Sequence, residues 1–230
     1  MLDRYPHNEI DFDREPSMLF SLLRRFLKLH LFRITTRPLI EQPHVTAAMR
    51  LRSVDEAELL PYCGDAAIQL PISHVRAAFA RGDRCAVAYD GTRLVGYEWF
   101  AHGPTPHIDG VWVAFDGNVR YGYKQFVRLQ YRGQRIAAAL STHADNWYRR
   151  IGCTHAISLI HLGNGASWRS ERRIGAHTAG YAGYIHLFGR FIAFSTPGAT
   201  RLKLRFYSPC RELRNSEALR HSSQEYSRSE

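Results

Sequence analysis

The stretch Val127-Arg128-Leu129-Gln130-Tyr131-Arg132-Gly133-Gln134-Arg135-Ile136-Ala137-Ala138-Ala139-Leu140 is where one periodicity gives way to another. Upstream, residues 119–129 are rich in aromatic and β-branched side chains and predict a long strand. Downstream, apolar residues recur at Ile136, Leu140, Ala144, Trp147 and Ile151, which predicts a helix over 133–150, stopped by Gly152. A strand that runs through a short basic loop into a helix makes an anion site. The first turn of the helix has unpaired N–H groups and the positive end of the dipole. Gly133, Ala137, Ala138 and Ala139 keep the backbone approachable, and Arg132 and Arg135 add charge and bidentate donors.

Outward from this junction the elements fall into a mixed α/β order. Met49 to Ser53 reads as a strand, and Val54 to Tyr62 and Ser73 to Ala80 read as helices. A hairpin follows from Cys85 to Tyr89 and Leu94 to Phe100, turned by Asp90-Gly91. His102 to His107 reads as a loop and Val111 to Phe115 as a strand. Beyond Gly152, Ala156 to Leu162 reads as a strand, Ser167 to Ile174 as a short helix, and Tyr181 to Phe194 as a further strand region. Pro38 and Pro43 mark a connection. This divides the chain into an N-terminal arm with an amphipathic helix (residues 1–45), a domain (46–206) and a polar tail read as disordered (207–230).

Composition narrows the function class. The 230 residues are 45% hydrophobic and 23% charged, as in an ordinary globular chain, yet carry a formal charge of +10. The basic residues are spread along the chain rather than clustered among aromatics, so no nucleic-acid partner is expected. The four cysteines, Cys63, Cys85, Cys153 and Cys210, have no metal-ligand spacing, so no metal is expected. The acidic start lacks the pattern of a signal peptide, and no run approaches a spanning helix; a cytoplasmic location is expected. Residues 18–29 place Arg24, Arg25 and Lys28 on one face and leucines with Phe26 on the other. That helix reads either as packed on the domain or as resting on an anionic membrane surface, which would make the protein peripheral at the membrane.

The junction resembles motif A of the GNAT superfamily of acyl-CoA-dependent N-acyltransferases, in which Val is followed by x-Pro-x-Tyr-Arg-Gly-x-Gly-Ile-Gly or Ala. Val127, Tyr131, Arg132, Gly133, Ile136 and Ala137 agree, while Leu129 stands at the Pro position and Arg135 at the second Gly. Downstream, Asn164 through Gly175 keeps the spacing of the family's second signature, with Ala176 for Phe. The likeness covers about residues 46–195 and implies a single α/β (α+β) GNAT-like domain. Its mixed central sheet is flanked by helices and carries the amphipathic helix as an N-terminal extension.

The resemblance also implies the chemistry. Acetyl-CoA or another acyl-CoA is the expected co-substrate, held by Val127, Arg128, Leu129, Arg132, Gly133, Gln134, Arg135, Ile136, Ala137 and Asn164. The expected acceptor is the primary amine of a small molecule or amino sugar, and a homodimer is admitted. Transfer needs a base, an oxyanion donor and an acid. Glu98, set among aromatics, is the candidate base, with His161 and Tyr123 as rivals. The N–H groups near Val127 to Leu129 are the candidate oxyanion donors. Asn164 and Ser167 complete the catalytic set. The Tyr that often protonates the leaving thiolate in the family is replaced by Glu171, leaving Ser167, Tyr181 or Tyr184 as substitutes. Two other functions remain open, a long-chain transfer from an acyl carrier protein at the membrane and a non-catalytic binding module.

Overall fold

Asp90-Gly91 turns β3 (Arg84–Asp90) into β4 (Arg93–Ala101), and this hairpin is the frame on which both helical layers pack. The computed structural model describes residues 29–41, 49–108, 110–187 and 190–209. Along β3 the side chains alternate between two cores. Cys85, Val87 and Tyr89 join one cluster with Tyr97 and Trp99, while Ala86 and Ala88 join another with Val95 and Phe100. A strand buried on both faces has this continuous apolar look while keeping its period of two. The first face is covered by α1 (Glu56–Leu59), a following 3₁₀ turn (Leu60–Tyr62) and α2 (Ile72–Ala80), through Leu59, Val75 and Ala78. The second is covered by α3 (Ile136–His143) and α4 (Asp145–Arg150), through Ile136, Leu140 and Tyr148.

The main sheet adds β1 (Leu29–Pro38), β2 (Arg50–Val54), β7 (Val119–Val127), β8 (His155–His161), β9 (His177–Leu187) and β10 (Arg190–Ser195). Its eight strands run in the order β10-β9-β1-β8-β7-β4-β3-β2. Among the described residues, only β7 and β8 pair in parallel. α5 (Gly165–Arg173) follows β8, and α6 (Pro197–Arg201) packs on β9. A small sheet of β11 (Arg205–Tyr207), β6 (Trp112–Ala114) and β5 (Thr105–Pro106) closes a third core around Phe32, Tyr121 and Tyr184.

This is the mixed sheet flanked by helices that the sequence predicts, with three corrections. Residues 29–38 read as part of the N-terminal extension, but they form an interior strand between β8 and β9. Leu29, expected at the end of the amphipathic helix, opens that strand; residues 18–28 lie outside the described ones, as do 210–230 of the expected tail. The single helix expected over 133–150 starts at Ile136 and is broken at Ala144 into α3 and α4. The strand expected near Val111 belongs to the small sheet, which also takes Thr105 and Pro106 from the expected loop.

Candidate active site

The strand-to-helix junction opens on a cleft of about 460 Å³. One wall is Val127, Tyr131, Arg132, Gly133, Arg135, Ile136 and Ala137; the other is Asn164, Ala166, Ser167, Arg169, Ser170 and Arg173. Four of these are arginines and none is acidic, so the cleft suits an anion. Ala166, Ser170 and Arg173, with Ser167 and Arg169, form one face of α5, as helical spacing requires. Asn164 caps that helix, its Oδ1 accepting the Ser167 N–H at 3.1 Å.

The start of α3 is shaped by two residues in the left-handed region, Gly133 at φ 83° and Arg135 at φ 61°. Arg135 thus holds, at a cost of about 1 kcal/mol for a side-chain-bearing residue, the left-handed position that favours the Gly of the resembling motif. Among the described residues no side chain caps α3, which leaves its first-turn N–H groups facing the cleft for a ligand. Tyr131 donates to Asp90 at 2.8 Å and ties the loop to the hairpin. Three expected cofactor residues, Arg128, Leu129 and Gln134, are not on the cleft wall. Arg128 instead donates to the Leu94 carbonyl and to Asp65, each at 2.8 Å, while Leu129 is 75% exposed.

Where β7 meets β4, the ladder pairs Tyr97 with Phe126 and Trp99 with Tyr123, so Lys124 and Gln125 together oppose Glu98. Lys124 sits at φ 47° in this bulge. A bulge re-aims a side chain, and here it turns Gln125 onto Glu98. The Gln125 amide donates to Glu98 Oε2 at 2.6 Å and to Ser141 Oγ at 3.1 Å, and it also lines the cleft. Ser141 Oγ donates to the same Glu98 oxygen at 2.7 Å. Glu98 is 3% exposed, so it is a buried carboxyl and not a solvated strand residue. It reaches the cleft only behind Gln125. Burial is the main cause that pushes its pKa up to about 7, with the nearby Glu171 adding to the rise and Arg120 opposing it.

Beneath Glu98 lies an ionic core. Asp145 takes Arg37 at 2.6 Å and Arg120 at 3.0 Å, all three side chains being almost fully buried. Both guanidinium groups also donate to the Ser141 carbonyl at 2.8 Å. Arg37 comes from β1, so the strand missing from the sequence expectation supplies part of the site's foundation. In the sequence Arg37 stands inside the segment read as the N-terminal extension, and its partner Asp145, on α4, is 108 residues away.

The rival residues lie elsewhere. Tyr123 donates to Asp83 at 2.6 Å on the face of α2, where burial and the Asp83 charge hold its hydroxyl protonated. His161 packs edge-on to Phe32 at 5.6 Å. Tyr184 is fully buried among Phe32, Phe191 and Phe206 and cannot serve as an acid in the cleft.

Several solved structures are similar to this chain. A GCN5-related N-acetyltransferase from Sphaerobacter thermophilus is 13% identical, with a TM-score of 0.48 over 80% of this chain and 57% of that one. This chain therefore spans little more than half of that protein's length. An aminoglycoside 6'-N-acetyltransferase from Acinetobacter baumannii is 18% identical, with a TM-score of 0.44 over 56% of this chain and 90% of that one. A Salmonella typhimurium protein solved with its cofactor acetyl-CoA is 20% identical, with a TM-score of 0.42 over 70% of this chain and 94% of that one. No curated protein matches. The model of the acetyltransferase (GNAT) family matches residues 51–175, more than half the chain and both walls of the cleft, so the chain belongs to the GNAT acetyltransferase family.

Proposed function

We propose that the protein transfers an acyl group, acetyl in the simplest case, from acyl-CoA to the primary amine of a small molecule or amino sugar. The observation that carries this reading is the uncapped start of α3, ringed by Arg132, Arg135, Arg169 and Arg173 within a family built on acyl-CoA. The residues fit a coenzyme A pyrophosphate. Gly133 has open space where a side chain would stand, and Ala137 keeps the first turn slim. Two arginines per wall give bidentate donors to phosphate oxygens. Asn164, Ser167 and Ser170 on the second wall offer polar contacts to an extended amide arm.

Direct attack requires the thioester and amine to meet in fixed geometry, which is the largest entropic contribution the cleft can make. β7 and β8 are paired from Val119 with His155 to Gly122 with Ser158, although both strands continue. The fork beyond that rung is where the acyl carbonyl enters, with the β7 backbone near Val127 as oxyanion donor. Glu98 takes the amine proton, its Oε1 lying over Gly122 toward the fork. The basic segment 18–29 supports a peripheral place at an anionic membrane surface, with transfer from a carrier protein as the second reading.

Isothermal titration with acetyl-CoA tests the central claim. Micromolar binding is expected, weakened ten- to hundredfold by Arg132→Ala, the cost of one charge-assisted phosphate contact of about 1.5–3 kcal/mol. Absence of heat at millimolar acetyl-CoA would end the transferase reading.

A further inference from the structure

At the end of the main sheet away from the β3–β4 hairpin, β10 is the terminal strand. The ladders fix which side chains share a face there. Phe32 of β1 and Ala182 and Tyr184 of β9 turn inward to the third core. The residues between them stand on the other face: Leu29, Ile185 and Ile192 form one row, and Leu31, Gly183 and Phe194 the next. A side chain begun at Gly183 would meet the Phe194 ring at 2.7 Å, so Phe194 lies across that glycine. Leu29, Leu31 and Ile185 are half-buried, while Ile192 and Phe194 are 48% and 45% exposed. Among the described residues these five side chains join none of the three cores. Apolar side chains facing water on an edge strand are a liability, and a patch of them marks a surface kept for a partner.

The border of this strip is basic. Arg33, the next β1 residue on the same face, lies over the Trp168 ring of α5 at 4.4 Å. Arg172, one helical turn beyond Trp168, approaches the same ring at 5.8 Å. At the opposite end Arg190 is exposed, paired with Leu187. Acid is almost missing from this part of the chain. β1 has none, and residues 155–209 hold one carboxylate, Glu171, against seven lysines and arginines. Leucine, isoleucine and phenylalanine bordered by arginine and tryptophan match the interface of a bilayer. There apolar side chains enter the acyl boundary, guanidinium groups meet lipid phosphates, and tryptophan sits at headgroup level. A nucleic acid would satisfy the arginines but leave Ile192 and Phe194 in water.

The geometry points to this face as a docking platform for an anionic bilayer, with Ile192 and Phe194 inserting and Arg33, Arg172 and Arg190 holding lipid phosphates. The inference rests on the peripheral reading above and carries the contact from the segment at 18–29 onto the folded sheet and α5; it is independent of acyl transfer. α5 then serves twice. Ser167, Ser170 and Arg173 line the cleft, while Trp168 and Arg172 stand at the border of the platform. The cleft wall and the docked surface are thus one helix apart, ~10 Å.

Vesicle flotation of the full chain tests the platform. The wild type is expected to float with phosphatidylcholine vesicles containing about one third phosphatidylglycerol. It is expected to stay behind with pure phosphatidylcholine, or when ~0.5 M salt screens the charges. Arg172→Ala should weaken the apparent affinity about fivefold, the effect of one basic residue at an anionic surface. The double variant Ile192→Ser, Phe194→Ser should weaken it about tenfold or more, through lost apolar burial. Circular dichroism checks that each variant folds; if the double variant does not, Arg172→Ala and Arg190→Ala still decide. Replacing Arg24, Arg25 and Lys28 together with Ala should weaken flotation less than the double variant does. If that triple change abolishes flotation while the variants of the sheet and α5 match the wild type, the peripheral reading stands and the platform falls. Flotation by no form of the protein overturns both. A dimer in sedimentation velocity that the double variant dissolves would then assign the face to a second copy.

Discussion

Replacing Asp145 with Ala is expected to cost about 3–5 kcal/mol of stability, the range for removing one partner from a buried ion pair. Asp145 is fully buried and is the direct ion-pair partner of both Arg37 and Arg120. It also accepts the Ile40 N–H at 3.1 Å. Without it, two guanidinium groups remain in the core with the Ser141 carbonyl and the more distant glutamates as acceptors. Arg37 then no longer fastens β1 to the helical layer, so the loss reaches the centre of the sheet. Urea denaturation followed by circular dichroism measures the change. A shift below about 1 kcal/mol would mean that Glu98 and Glu171 supply the compensating charge, and that the ionic core is a single delocalised cluster rather than a pair with a hub.

Glu98→Gln is expected to separate activity from stability. As the base of the proposed transfer, Glu98 carries a contribution of about 10²–10⁴-fold to turnover. Acetyl-CoA affinity should stay within a factor of about two, because Glu98 is not among the residues that line the cleft, where Gln125 stands in front of it. The stability effect has the opposite sign. The folded-state pKa of Glu98 is raised to about 7 from 4.5, mainly by burial. A raised carboxyl stabilises the fold while protonated: its contribution is complete below pH 4.5 and is lost as pH rises through about 7. Glutamine is neutral throughout, so the variant should match the wild type near pH 4. At pH 8 it should exceed the wild type by up to about 3 kcal/mol, since each tenfold change in proton affinity corresponds to about 1.4 kcal/mol. Parallel denaturation curves at pH 5 and pH 8 check the sign. A variant less stable than the wild type at pH 8 would show that the Gln125 and Ser141 hydrogen bonds outweigh desolvation. Gain of stability on loss of a buried functional charge is the usual trade at a catalytic site.

The site was half legible in the sequence. Arg132, Gly133, Ile136 and Ala137 line the cleft as the strand-to-helix junction predicts, and Asn164 and Ser167 come opposite them as the second signature predicts. These are local features: a loop, a helix start and a cap are written within a few residues of one another. Arg128 was misplaced for a non-local reason, since its partner Asp65 is far away in the chain. That Arg135 holds a left-handed backbone position, the kind that favours the Gly of the resembling motif, is invisible in composition. Glu98 was legible as a carboxylate among aromatics, but not its screening by Gln125, because a bulge changes which face a strand residue serves without changing the sequence pattern.

By itself, then, the sequence determined what depends on short-range periodicity: the β3–β4 hairpin, a helix after the basic loop, and the strand-to-helix turn between that helix and β7. Only the tertiary structure decided the identity of β1. Its Thr35, Thr36 and Arg37 are buried yet polar, and they become a strand because Thr36 bonds to the Ala156 carbonyl and Arg37 to Asp145. Only the tertiary structure, too, brought Gln125 and Ser141 onto the buried Glu98. The physical reason is the same in both cases: a buried polar group is tolerated only where its partner is, and here the partners lie on strands and helices far apart in the chain.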